Sequence, residues 1–179
     1  MNLPVFLSVS KPYTLEQEQF LENFEEYMRG QGFEPRTVGR TDYFMDEPLS
    51  GCRMVLLESY GLVTLAFRRY YIAEGWENYE DNEHQKPIGG KYLTSPWCHI
   101  EPAMAYQLGL PILIFREDGV SKRGLLGKGI TDTYMPVFNA SEFNTYFDRD
   151  DFRQWFNQWG SRVRRVREIR GTPPKLYQK

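Results

Sequence analysis

The sequence predicts an α/β domain built as a flavodoxin-like, doubly wound parallel sheet of about five strands with helices on both faces. Three observations carry this expectation. Short runs that are apolar throughout, such as Val5-Phe6-Leu7 and Leu62-Val63-Thr64-Leu65-Ala66-Phe67, recur along the chain. Segments with apolar residues at helical spacing separate them. No repeat, low-complexity tract or linker divides the 179 residues, and a domain of this length buries roughly 70% of its unfolded surface without staples.

The elements follow in order. Pro4 to Val9 is short, apolar and β-branched, so it reads as a buried strand opening into the loop Ser10-Lys11-Pro12. Thr14 then caps a helix, with Gln17 as capping-box partner and Phe20, Phe24 and Met28 as its apolar stripe. Gly30 and Gly32 end it. Glu34 to Val38 is the second strand, closed by Gly39. A second helix starts near Pro48 and carries Met54, Val55 and Leu57 towards Ser59. Leu62 to Phe67 is the third strand and Leu110 to Phe115 the fourth, preceded by a helix through Ala103, Met104, Ala105 and Leu108 that stops at Gly109. A short fifth strand near Met135 to Phe138 precedes a helix with Phe152, Trp155, Phe156 and Trp159.

Two stretches stand apart within this single domain spanning residues 1–179. Residues 68–96 form a 29-residue connection carrying Tyr70, Tyr71, Trp76, Tyr79 and Tyr92. Connections of that length are either functional or carry a small cluster of their own, so this one is a pocket wall or lid, or a self-contained insertion. Residues 149–179, a helix and tail, sum to +6 while residues 1–148 sum to −8. Arg162, Arg164, Arg165, Arg167 and Arg170 supply most of that excess. They either dock an anionic partner or end a solvated helix whose dipole they complement, and the second is the simpler reading.

Bulk properties exclude several functions. A net charge of −2 leaves no broad nucleic-acid footprint. Cys52 and Cys98 form no CxxC pair, and with His84 and His99 as the only histidines no metal-ligand cluster is expected. The thiols suit a reducing, cytoplasmic setting, and neither a leader nor a membrane span is read from the N-terminal residues. Gly124 to Gly129 lacks phosphate-loop spacing and reads as a connection.

Ligands of open parallel sheets bind outside the carboxyl ends of the strands. That rule gathers Ser8 and Ser10 after the first strand, Gly39 and Arg40 after the second, Phe67 and Arg68 at the end of the third, and Trp97 to Glu101 at the helix before the fourth. Glu101 is the only acid between Glu83 and Glu117. Proline costs about 3 kcal/mol in a helix interior, so Pro102 places the helix start near Trp97 to His99 and Glu101 in or near the first turn. There the helix dipole favours an ionised carboxylate, suited to stabilising developing positive charge rather than donating a proton.

These residues resemble a family. Trp97-Cys98-His99-Ile100-Glu101 has the Trp-x-x-x-Glu spacing of TIR domains that cleave NAD, and Ser95-Pro96-Trp97-Cys98-His99-Ile100-Glu101 matches the broader Ser-x-Trp-Cys-x-x-Glu form. Val5-Phe6-Leu7-Ser8 is similar to the first TIR strand, and the segment from Glu34 through Asp46-Glu47-Pro48-Leu49 lies where TIR domains carry their BB loop. The order of pieces agrees over roughly residues 4–116. A related resemblance is to nucleoside 2-deoxyribosyltransferases, through Glu101-Pro102-Ala103-Met104-Ala105 and the following Gly109-Leu110-Pro111-Ile112. Their Asp-x-Gly-Thr stretch is replaced here by Thr94-Ser95-Pro96-Trp97, and the long 68–96 connection departs from compact TIR domains.

Both resemblances imply attack at C1′ of a ribose, with Glu101 stabilising the ribosyl cation. The TIR likeness implies NAD as substrate rather than cofactor, a microbial defence or signalling role, and assembly with further copies or other TIR-like proteins. Trp97 then stacks on a nicotinamide or adenine ring, or belongs to the core. Ser8 and Ser10 bond ribose or phosphate, or cap a turn. Arg36 and Arg40 grip a pyrophosphate, or stand as surface arginines, with Arg40 the better placed. His99, two residues from Glu101, does not share its helix face.

Overall fold

A computed structural model describes residues 2–45, 47–127, 129–130 and 134–169. Asp46 of the BB-loop resemblance, Lys128 of the glycine-rich stretch, and Arg170 with the rest of the tail lie outside the described residues.

The main sheet consists of β1 (Leu3–Val9), β2 (Phe33–Arg36), β3 (Leu62–Ala66), β8 (Ile112–Glu117) and β9 (Val137–Phe138). Every pairing in it is parallel, in the order β2-β1-β3-β8-β9. This is the doubly wound, flavodoxin-like order, whose direction of winding reverses between β1 and β3. Alternation of side chains across the pleat sorts the core into two layers. Val5 and Leu7 of β1 with Val63 and Leu65 of β3 face α1 (Leu15–Gly30) and α4 (Asp150–Ile169), whose Phe20, Phe24, Phe152 and Phe156 fill that layer. Phe6 with Leu62 and Ala66 faces α2 (Pro48–Glu58) and α3 (Trp97–Gln107), where Cys52, Val55, Cys98 and Ala105 pack.

Several boundaries differ from the expected ones, each for a local reason. β2 stops at Arg36 rather than Val38 because the Thr37 carbonyl accepts from Arg40, Thr41 and Asp42 in a tight turn. β8 runs on through Arg116 and Glu117, two charged residues whose burial the apolar pattern did not signal. Arg116 donates to the Val120 carbonyl, and Glu117 accepts from the Arg68 N–H at 2.7 Å and from Gln17 Nε2 at 2.9 Å. Gln17 is therefore more than a cap partner: Thr14 does accept its N–H, but its side chain links the start of α1 to the end of β8. On α2, Met54 and Leu57 project into solvent; the buried face is Gly51, Cys52, Val55 and Leu56.

The 68–96 connection has structure of its own. β4 (Tyr70–Ile72) pairs antiparallel with β7 (Lys91–Leu93), and further out β5 (Trp76–Glu77) pairs with β6 (Lys86–Pro87). The base is tied to the body by the Arg69 N–H to Leu93 carbonyl bond and a bridge between Tyr92 and Val120. Its outer half is exposed. At the other end of the chain, Arg162, Arg164, Arg165 and Arg167 are exposed on α4, and Arg164 lies over the Phe33 ring. Among the described residues no helix is long and apolar enough to cross a membrane.

Candidate active site

The winding reversal leaves a cleft at the carboxyl ends of β1 and β3, as the topology requires. It holds a cavity of about 610 Å³ lined by the loop after β1, the turn after β2, the N-terminal half of α2, the base of the inserted ribbon and the start of α3. A second cavity of about 340 Å³ adjoins it, sharing Val9, Ser10, Lys11, Val38 and Gly39.

Glu101 lines the larger cavity and is only 7% exposed. α3 begins at Trp97, where the Trp97 N–H donates to Ser95 Oγ at 3.3 Å. Glu101 is therefore the fifth helical residue, one step beyond the first turn, and Pro102 lies inside the helix. This corrects the expected electrostatics. The dipole acts mainly within the first turn, whereas burial disfavours the charged form and pushes the Glu101 carboxyl up to about 7. Two groups oppose that rise. Cys52 Sγ donates to Glu101 Oε1 at 3.4 Å, and the fully buried Ser8 hydroxyl favours the charge without closing a well-formed hydrogen bond. A carboxyl poised near neutrality can accept or give a proton as well as stabilise a cation.

The structure gathers Ser10, Gly39, Trp97 and Glu101 on the lining of one cavity, with Ser8 beneath. The Ser10 hydroxyl is buried and has no hydrogen-bond partner among the described residues. Trp97 is half-buried, packing on the α2–α3 side of the core and lining the cavity.

The remaining three residues are placed differently. Phe67 is wholly buried in the opposite layer, edge-on to Phe20 and Phe138, because it continues the Val63-Leu65 face of the strand. Arg36 lines neither cavity; it is held by Asp42 and Glu58. Arg40 lines the smaller cavity, but Glu25 and Glu18 take its guanidinium at 2.8 and 3.1 Å. His99 is half-buried, its Nδ1 is without a partner among the described residues, and burial lowers its pKa.

Cys52, Pro48, Lys11 and Arg69 line the larger cavity and were not selected from the sequence, whereas Tyr70 lines it from the connection expected to be a pocket wall or a self-contained insertion. Lys11 and Arg69 sit just beyond strand ends, so the same carboxyl-end rule points to them. Pro48 and Cys52 are four apart on α2 and share a face. No group of three potential metal ligands occurs among the described residues.

No protein-family model matches the chain, and no curated protein does. Among solved structures it is similar to the CMP N-glycosidase BcmB of Clostridium botulinum, at 15% identity over 81% of this chain and 98% of that one, with a TM-score of 0.46. It is also similar to the TIR domains of the activated Roq1 resistosome directly recognizing the pathogen effector XopQ. That match has 16% identity over 95% of this chain and 86% of that one, with a TM-score of 0.43.

Proposed function

We propose that the chain is a hydrolase of the N-glycosidic bond at C1′ of a ribonucleotide, with NAD as its substrate and nicotinamide as the leaving group. The observation that carries this reading is the Glu101 carboxyl, buried in the wall of a cavity at the winding reversal, with the Trp97 and Tyr70 rings on the same lining. As the C1′–N bond breaks, its electrons leave with nicotinamide and the ribosyl carbon becomes cationic. Glu101 in its ionised form stabilises that charge. Water then adds at C1′ and loses a proton, giving ADP-ribose; an adenine nitrogen in the same position gives the cyclic product. NAD is consumed, and no recycled cofactor is required. A role in microbial defence, and activation by assembly with another copy or a TIR-like partner, accompany the reading through the Trp97 to Glu101 motif.

A second reading, hydrolysis of a nucleoside or mononucleotide, uses the same Glu101 and the same cavity, whose size admits the smaller ligand as well as the larger. Incubation with NAD and with a panel of nucleosides and nucleotides, beside Glu101→Gln and with assembly state measured in the same samples, separates these. Free nicotinamide that falls by roughly a hundredfold or more in Glu101→Gln supports the first, and a free nucleobase the second. Absence of any Glu101-dependent product from assembled protein overturns both and leaves a non-catalytic nucleotide-binding or interaction module.

A further inference from the structure

Among the described residues, two cations at the larger cavity lack counter-ions, in a region of the chain that is otherwise acidic. Arg36 and Arg40 are each held by two carboxylates, and Arg68 and Arg123 each face one. Lys11 and Arg69 are different. Both line the cavity that holds Glu101, and among the described residues neither has a carboxylate within ion-pair distance.

Arg69 and the Lys11 backbone are nonetheless anchored. Arg69 donates its backbone N–H to the Leu93 carbonyl at 2.8 Å, which anchors it at the base of the inserted ribbon. Its guanidinium donates to the Lys11 carbonyl at 3.1 Å, so the ribbon base and the loop after β1 meet through this contact. Ser10, next to Lys11 in the chain and 9% exposed, lines both cavities, and its buried hydroxyl is unsatisfied among the described residues. A buried hydroxyl without a partner is unfavourable unless something else bonds it. Two uncompensated cations beside an orphaned hydroxyl are complementary to a phosphate.

We infer that Lys11, Arg69 and Ser10 form an anion subsite that takes the phosphate of a ribonucleotide whose C1′ faces Glu101. This rests on the proposed N-glycosidase reading and narrows it to phosphorylated substrates over free nucleosides. It also gives the inserted ribbon a part in recognition, since Arg69 belongs to it. The arginines that the sequence suggested for this duty are already neutralised.

The subsite is tested by binding, so that it does not depend on turnover. Calorimetry with ribose 5-phosphate, ribose, ADP-ribose and inorganic pyrophosphate is carried out on the wild type, Lys11→Gln, Arg69→Gln and the double variant. Circular dichroism and thermal melting of each variant confirm that these two exposed substitutions leave the fold intact. The expected result is that ribose 5-phosphate binds and ribose does not. Each single variant weakens phosphate-bearing ligands by roughly tenfold, the double variant abolishes their binding, and affinity falls with added salt.

Equal affinity for ribose and ribose 5-phosphate overturns the inference, as does undiminished phosphate binding by the folded double variant. The two readings fail separately. NAD cleavage with an unchanged KM in the double variant overturns the subsite and keeps the reaction. Phosphate binding that depends on Lys11 and Arg69, without any Glu101-dependent product, keeps the subsite and overturns the reaction.

Discussion

At the scale of single residues, Glu101 is governed by what surrounds its carboxyl more than by where it sits on the helix. Burial moves it to about 7, so the ionised form that stabilises a ribosyl cation accumulates as pH rises through neutrality. The kcat/KM for NAD is accordingly expected to climb between pH 6 and 8 and then level. Ser8 and Cys52 both limit the rise, and Cys52 is the one that closes a hydrogen bond. Cys52→Ala removes the thiol at 3.4 Å and is expected to move the acid limb of the profile, and the Glu101 carboxyl titration followed by NMR, upward by roughly half a unit to one unit. Cys52→Ser retains a donor and should restore most of the wild-type position. An unmoved titration in Cys52→Ala would show that the thiol merely packs. The sequence made Glu101, Ser10, Gly39 and Trp97 legible because strand ends and a helix start leave marks in residue type. It did not make Phe67 legible. A strand that is apolar on both faces does not reveal which face the site helix covers, and Phe67 follows Val63 and Leu65 into the other layer. Arg36 and Arg40 misled for another reason, because their acidic partners are brought to them by folding.

At the scale of elements, the parallel, doubly wound sheet and the alternation of strand and helix were readable, while the inserted ribbon was not. Its strands are two or three residues long and mostly exposed, so neither length nor apolar periodicity announces them. What the ribbon does is divided along its length. The base, through Arg69 and Tyr70, is part of the cavity lining, whereas the outer pair β5 and β6 touches the body through an exposed Arg123–Glu77 ion pair, a contact worth little in water. Replacing residues 75–88 by a short Gly-Ser turn is therefore expected to leave the melting temperature within roughly 2 °C of wild type. Binding of ADP-ribose should be retained as well, because β4 and β7 still hold Arg69 in place. Loss of cooperative unfolding would show that the outer half is integral to the fold, and loss of binding alone would identify it as a lid.

At the scale of the whole molecule, the site places a stability cost inside the fold. Glu101 has an ordinary value of 4.5 and a folded value of about 7. Over that interval the folded chain holds a proton that the unfolded chain has lost, so stability declines as pH rises from 4.5 through 7, by roughly 3 kcal/mol in all. Burial raises Glu117 as well, which adds in the same direction. Glu101→Gln keeps the shape of the side chain and removes the ionisation. Its stability relative to wild type should therefore depend on pH with a definite sign. Near pH 5, where the folded carboxyl is protonated, the two proteins should melt within a degree or two of each other. At pH 8 the variant should melt several degrees higher, since about 1 kcal/mol corresponds to about 2–4 °C in a protein of this size. The gain would come with loss of Glu101-dependent catalysis, the trade expected when a carboxyl is buried for chemistry rather than for folding. A difference in melting temperature that stays constant between pH 5 and pH 8 would mean that Glu101 does not titrate near neutrality, and the poised carboxyl on which the catalytic reading depends would have to be given up.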